Sequence, residues 1–406
     1  RLCLSSSLEP LIDFGHVSLG NNLLLDKQSA VEAETYPLNV QRCGSCGHFQ
    51  LGYSVAPVRL FATNYTYLSR VGSSFVEHLD FYAKWVSKKV GLKHGDLVVD
   101  IGSNDGSCLK SFKKLGFNVV GVDPAEMPAS LAAEEGIETF VSFFDPGVVE
   151  KIRSEFGPAN FITSHNVLAH VADLNSVLES AYDLLDAGGC FCFEVGYFAD
   201  VLKNKLFDTI YHEHLDYHHA LPLVKRLIEV GFEVLHIETN QIQGGSLRIL
   251  AQKSGRLKVS PVAQTFLDNE LKSVLHDQAF INGWQESVIG HCLDLAHMIQ
   301  KDKAEGRVII GYGAPTKAVL LLKMINIGVD VFDYIIEDNE HKVGKYLPGS
   351  GVAIKPFEYL RCQRDLTIVM LAWNFADDII QKLRAVGYLK GAKVITPLPK
   401  TESFEI

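Results

Sequence analysis

The chain has 406 residues, too many for one compact core at roughly 100–200 residues per domain, so two or three domains are expected. With 47% hydrophobic and 21% charged residues the composition is that of a soluble globular protein, which excludes disordered, collagenous and coiled-coil classes. The net charge of −10, from 48 acids against 38 bases and without a basic run, gives no electrostatic footprint for phosphate backbones or anionic lipid, so neither nucleic acid nor membrane is expected as a partner.

Residues 1 to about 70 carry short apolar runs, turn residues and a Cys43-Gly44-Ser45-Cys46 motif, with Cys3 upstream. Phe75–Val90 is amphipathic at helical spacing. Leu97–Ile101, Val119–Asp123, Phe161–Ser164 and Cys190–Val195 read as buried strands, each followed by a helical pattern, which predicts a parallel sheet with right-handed crossovers. Glu233–Asn240 and Ser246–Lys253 read as an antiparallel pair closing that sheet. Pro261 to Ile299 reads as one or two long helices. A second αβ series follows, with strands Val308–Gly311, Tyr334–Glu337 and Leu366–Leu371. The expected division is 1–70, 71–255 and 256–406. No uninterrupted apolar stretch reaches the ~20 residues of a membrane span, and no secretory core is seen. Cys108, Cys190, Cys192, Cys292 and Cys362 read as small buried hydrophobes rather than a disulfide framework, so a reducing cytoplasm is expected.

The first glycine turn sets the ligand class. Val98-Val99-Asp100-Ile101-Gly102-Ser103-Asn104-Asp105-Gly106 runs a strand into a G-x-x-x-G turn, where missing side chains let a ligand approach backbone. This is not the G-x-G-x-x-G that lays a helix N-terminus against pyrophosphate. Asp123 ends the next strand, where a carboxylate can accept ribose hydroxyls. An acid-rich turn with Asp100 and Asp105 suits a cationic ligand, and S-adenosylmethionine combines a sulfonium, a ribose and no phosphate. The bland alternative is an ordinary tight turn with a solvated acid.

With that turn, the runs Asn166-Val167-Leu168-Ala169-His170-Val171 and Tyr211-His212-Glu213-His214 resemble the sugar C-methyltransferases, which act on nucleotide-linked 4-ketosugars. The resemblance spans essentially the whole chain. Tyr36-Pro37-Leu38 before Cys43 and Cys46 is similar to the family's N-terminal zinc module, and Asn64 to Ser69 to its tyrosine-bearing segment. Tyr312-Gly313-Ala314 with Lys317, Glu337-Asp338-Asn339, Leu347-Pro348-Gly349 and Ala372-Trp373-Asn374 are similar to its C-terminal domain.

The resemblance implies a doubly wound class I methyltransferase core, a small N-terminal zinc-binding domain and a C-terminal Rossmann-like α/β domain. It implies S-adenosylmethionine held by Asp100, Gly102, Asn104, Asp105, Gly106, Asp123 and Asn166. It places His214, Tyr211, Glu213, His170 and Tyr65 at the reacting centre, with His214 or Tyr211 as base and Glu213 orienting the partner. Tyr67, Ser246, Gly313, Lys317, Trp373 and Asn374 are expected on the sugar nucleotide: the Gly311–Lys317 turn follows a strand and opens a helix whose N-terminus, with Lys317, could hold the diphosphate, a purely structural turn being the alternative. A structural zinc would take Cys3, Cys43 and Cys46. The family's first ligand precedes Arg1 in the motif, so the fourth ligand is expected from a residue before Arg1, from His16 or from His48, or the site is empty.

A regular strand would put Tyr211 and Glu213 on one face and His212 and His214 on the other, so these roles require an irregular segment. His212-x-His214 as a metal pair is the alternative; His218 and His219 read as structural. The expected reaction is methylation of C3 beside a C4 ketone, through an enolate, by a monomer or weak homodimer. The rivals are an NAD-dependent nucleotide-sugar oxidoreductase using the Gly311–Lys317 turn, an O- or N-methyltransferase on a related sugar, and an inactive binding scaffold.

Overall fold

A computed structural model of the chain describes residues 1–56, 59–60, 68–71, 73–253, 255, 257, 260–328, 330–360 and 365–406. Tyr65, Tyr67 and Cys362 lie outside the described residues. Among those described, the strands form three sheets.

The first sheet has the order β1-β2-β3-β9, all antiparallel: β1 Leu8–Ser18, β2 Thr35–Cys43, β3 Phe49–Leu51 and β9 Asp216–Tyr217. Its last strand comes from far along the chain, in the stretch that the sequence assigned to the second unit.

The second sheet contains β4 Leu97–Ile101, β5 Asn118–Asp123, β6 Glu138–Val141, β7 Ala159–His165, β8 Leu185–Gly196, β10 Glu233–Asn240 and β11 Ser246–Gln252. Its order is β10-β11-β8-β7-β4-β5-β6, with β4 through β8 parallel and β11 antiparallel to both neighbours. This is the doubly wound class I methyltransferase arrangement. Every residue of β4 is buried, as a parallel strand covered on both faces must be. Helix Ser73–Val90 covers one face because Phe75, Leu79, Tyr82, Val86 and Val90 recur at helical spacing and all are buried. Each such side chain contributes about 1.5–3 kcal/mol of transfer free energy. Asp145 and Asp173 start the helices Pro146–Phe156 and Leu174–Leu184 by accepting from the Val148 and Ser176 amides. The order reverses at β4, which opens a crevice at the carboxyl ends of β4 and β7.

Helices Pro261–Glu270 and Gln278–Ala304 lead to the third sheet. It contains β12 Val308–Tyr312, β13 Tyr334–Glu337, β14 Ile354–Pro356, β15 Leu366–Met370, β16 Lys393–Thr396 and β17 Glu402–Glu405. The order β14-β13-β12-β15-β16-β17 is Rossmann-like, parallel except for β17. No helix among the described residues is long and apolar enough to cross a membrane.

Candidate active site

The turn after β4 adopts left-handed backbone at Gly102 (φ +71°), Asn104 (φ +50°) and Gly106 (φ +75°). The glycines answer to packing as well as to conformation. A Cβ on Gly102 would stand 2.2 Å from Val167 Cγ2, and one on Gly106 2.7 Å from Ile137 Cδ1. Asp123 Oδ2 accepts the Asn104 amide at 2.8 Å and Oδ1 the Ala125 amide at 2.9 Å. Asp100 is buried, and burial followed by the charge of Asp123 drives its carboxyl well above the usual range; its Oδ1 has no hydrogen-bond partner among the described residues. Asn104 and Asp105 have additional work: Asn104 Oδ1 accepts the Ser69 amide at 3.0 Å and Asp105 Oδ2 the Arg70 amide at 3.0 Å. Asn166, left-handed at φ +56°, donates its amide to the Glu194 carbonyl at 2.8 Å and brings the end of β7 beside this turn. An unpartnered buried carboxyl oxygen beside Asp123 fits a ligand that brings hydroxyl donors and a positive charge that would favour the ionised acids, as S-adenosylmethionine does.

The Tyr211–His214 segment is a turn, closed by the His214 amide donating to the Tyr211 carbonyl at 2.9 Å. This is the irregularity the assigned roles require. His214 Nδ1 lies 2.9 Å from the Thr209 carbonyl, to which it donates, so Nε2 accepts the Tyr211 hydroxyl at 2.7 Å. Burial, then the neighbouring His170, push His214 well below the usual imidazole range, and it is neutral at pH 7. His170 Nδ1 donates to the Glu213 carbonyl at 2.7 Å, its ring lies 4.7 Å from that of His214, and burial lowers it to about 4. The three side chains of Tyr211, His214 and His170 meet at a half-buried surface.

Glu213 does not orient Tyr211 or His214 through its carboxyl group, as the sequence suggested; the Thr209 carbonyl orients His214. The Glu213 carboxyl is buried and faces Asn21, whose Nδ2 lies 3.2 and 3.1 Å from its two oxygens. Burial raises it to about 8 against the opposing effects of Asn21 and Lys342. His212 turns away from His214, its Nε2 3.3 Å from the Tyr36 carbonyl, so the pair is not a metal site. His219 faces Glu270 and the Gly47 carbonyl, a structural role.

Lys317 and Trp373, from separate turns of the third sheet, come together: Lys317 Nζ sits 3.6 Å from the Trp373 ring centre, and the indole N–H donates to Asp208 at 2.6 Å. Asp208 is fully buried just before the Tyr211–His214 turn, and sequence reasoning missed it because nothing in its local pattern distinguishes it. Burial raises Asp208 and lowers Lys317 to about 8. Asn374 follows in the same turn, half-buried. Gly313 (φ +85°) packs where a Cβ would meet Ala372 Cβ at 2.4 Å. Ser246 is buried and donates to the Ile242 carbonyl at 3.0 Å, so its hydroxyl serves its own turn.

Cys3, Cys43 and Cys46 converge, their sulfurs all within 4.8 Å of one another. A tetrahedral zinc with bonds of about 2.3 Å holds sulfurs roughly 3.8 Å apart, and the Cys3–Cys43 separation is 3.5 Å. Burial opposes the Cys43 thiolate, but the Cys46 and Ser45 amides aimed at it bring its pKa below the usual thiol value. The donor set fits three of the four ligands of a structural zinc. Among the described residues neither histidine joins it: the mutually close ligand atoms are those of the three cysteines, His48 Nε2 is engaged with Asp216 at 2.9 Å, and His16 pairs with Pro37 while Cys43 pairs with Leu8, far along β1.

Comparison with known proteins agrees with this arrangement. Residues 1–61 match a family described as "Putative zinc binding domain", 75–237 a methyltransferase domain and 241–399 a C-methyltransferase C-terminal domain. The chain is 31% identical over 402 residues to C-methyltransferase NovU of Streptomyces niveus, covering 98% of this chain and 95% of that one. It is 30% identical over 112 residues to a ubiquinone biosynthesis O-methyltransferase of Bordetella avium, 27% of this chain and 46% of the relative. Among solved structures, magnesium protoporphyrin IX methyltransferase of Synechocystis with bound SAM aligns at a TM-score of 0.34 and 16% identity, covering 44% of this chain and 79% of that one. The methyltransferase domain matched over 75–237 and the full-length relative show a methyltransferase enzyme. More narrowly, the chain belongs to the C-methyltransferase family.

Proposed function

We propose that this C-methyltransferase alkylates C3 of a nucleotide-linked 4-keto-deoxysugar in the cytoplasm, as a monomer or weak homodimer. The observation that carries the proposal is the Tyr211 hydroxyl donating to a neutral His214. A C4 ketone acidifies the adjacent C3–H. As the Tyr211 oxygen takes that proton, its own proton passes to His214 Nε2, a relay worth about 10²–10⁴ in rate. His170, whose ring lies 4.7 Å from that of His214, borders the same surface and is the residue we assign to holding a sugar or enolate oxygen. The Glu213 carboxyl, protonated at neutral pH with a pKa of about 8, suits that oxygen as a donor. S-adenosylmethionine, held by Asp100, the Gly102–Gly106 turn, Asp123 and Asn166, supplies a methyl group bound to cationic sulfur. Lys317, Trp373 and Asn374 lie toward the sugar nucleotide, and zinc at Cys3, Cys43 and Cys46 has a structural role.

The test is product mass from a small panel of nucleotide-linked 4-ketosugars with S-adenosylmethionine, together with exchange of the C3 proton in D₂O without cofactor. Methyl on carbon, and exchange slowed at least hundredfold in Tyr211→Phe with cofactor affinity retained, are the expected results. Methyl on oxygen or nitrogen, or exchange unchanged in that variant, would overturn the proposal.

A further inference from the structure

Asn21 joins all three parts of the molecule. It lies just past β1 in the first unit. Its Nδ2 sits almost midway between the Glu213 oxygens, at 3.2 and 3.1 Å, in the catalytic turn of the second. Its Oδ1 accepts the Thr316 hydroxyl at 2.7 Å from the Gly311–Lys317 turn of the third. That bond fixes which way the amide points: with Oδ1 committed to Thr316, only the N–H₂ can face Glu213. The neighbouring backbone is seated closely enough to hold the register. A Cβ on Gly20 would stand 2.3 Å from the Thr316 carbonyl oxygen. Leu24 and Tyr346 exchange backbone bonds at 3.1 and 2.8 Å, and the Gly349 amide donates to the Ala30 carbonyl at 2.7 Å.

We infer that Asn21 is a positioning residue that ties the Glu213 carboxyl to Thr316, so that the second glycine turn sets the placement of a group at the reacting centre. Removing the amide leaves a buried carboxyl without its principal partner and free to rotate. The chemistry suffers while the cofactor turn, on another sheet, does not. The inference rests on the role given to Glu213 above.

The experiment measures kcat, KM and C3 deuterium exchange for Asn21→Ala, Glu213→Gln, the double variant, Thr316→Val and Thr316→Ser, with S-adenosylmethionine affinity and melting temperature alongside. Asn21→Ala is expected to lower kcat about 10–100-fold, the scale of a hydrogen bond to a buried ionisable group. It should have less than about a twofold effect once Glu213 is already Gln, because its action runs through that side chain. Thr316→Val should lower kcat by a smaller factor, and Thr316→Ser, which retains the hydroxyl, should keep wild-type rates. If Asn21→Ala lowers kcat by the same factor in both backgrounds, Asn21 is a general structural contact and the inference fails. Thr316→Val keeps the test available should Asn21→Ala not fold, and wild-type kcat in that variant also overturns the relay. If Glu213→Gln itself behaves as wild type, the reading of the site falls and the relay with it. If Glu213→Gln is impaired but Asn21→Ala is not, only the relay falls.

Discussion

The two glycine turns, Gly102–Gly106 and Gly311–Lys317, occupy the same place in two sheets of similar topology. Each follows the first parallel strand of its sheet in chain order, and each gives a backbone amide to an acid at the end of the neighbouring strand: Asn104 to Asp123 at 2.8 Å, and Ala314 to Glu337 at 2.8 Å. They differ in what remains unused. The first keeps a buried Asp100 oxygen without a partner, and Asp123 retains lone pairs beyond the amides it accepts. In the second, Glu337 Oε1 also accepts the Asp338 and Asn339 amides, and Lys342 donates to the Ala314 carbonyl. Thr316 bonds Asn21 and Lys317 lies on Trp373. The contrast between the two turns thus lies in the acids beside them: Asp100 and Asp123 keep unused oxygen lone pairs, whereas Glu337 is taken up by three amides of its own chain.

Substitutions can break or sharpen this contrast. The largest effect is expected from Gly102→Ala, which combines left-handed backbone with a Cβ 2.2 Å from Val167. Strain and overpacking together amount to about 2–5 kcal/mol, and calorimetric titration should find cofactor binding abolished. Asp123→Asn replaces one acceptor by a donor facing a backbone amide. Cofactor affinity should fall about 10–100-fold, from the ~1.5–3 kcal/mol typical of charged hydrogen bonds; unchanged affinity would erase the distinction between the turns.

Lys317→Met should show in the pH dependence of stability. Burial lowers Lys317 from 10.5 to about 8, so between those values the unfolded chain holds a proton the native one has lost. Native stability therefore rises with pH across that window, and in Lys317→Met this contribution should vanish from urea-unfolding curves. Smallest of all, Glu337→Gln should cost about 1 kcal/mol of unfolding free energy, the scale of one net hydrogen bond, while cofactor affinity stays at the wild-type value.

Much of this was legible in the sequence because it depends on short-range pattern. Alternating buried strands and amphipathic helices announced both parallel sheets, and Asp123 stood at a strand end where its carboxyl serves the turn. Tyr211, His214 and His170 stood out by motif, and the irregular backbone they require is present. The partners of those residues were not legible. Asn21 and Glu213 are 192 residues apart, and Asp208 and Trp373 are 165 apart, so no local spacing connects them. The glycines at 102 and 106 were read as making room for a ligand, whereas Val167 and Ile137 occupy the directions their Cβ atoms would take. Likewise His48 carried a plausible ligand type, but Asp216 engages it through a contact only the fold creates.

The short strand β9 has a consequence for the order in which the protein can be made. Phe49 and Gln50 pair with Tyr217 and Asp216, and His48 meets Asp216 across 168 residues of chain. At ~5–20 residues per second on the ribosome, that interval is roughly 8–34 seconds. Until then β3 has no β9 to pair with. The same strand carries the chain directly out of the Tyr211–His214 turn, so the first sheet cannot be completed before that turn has been synthesised.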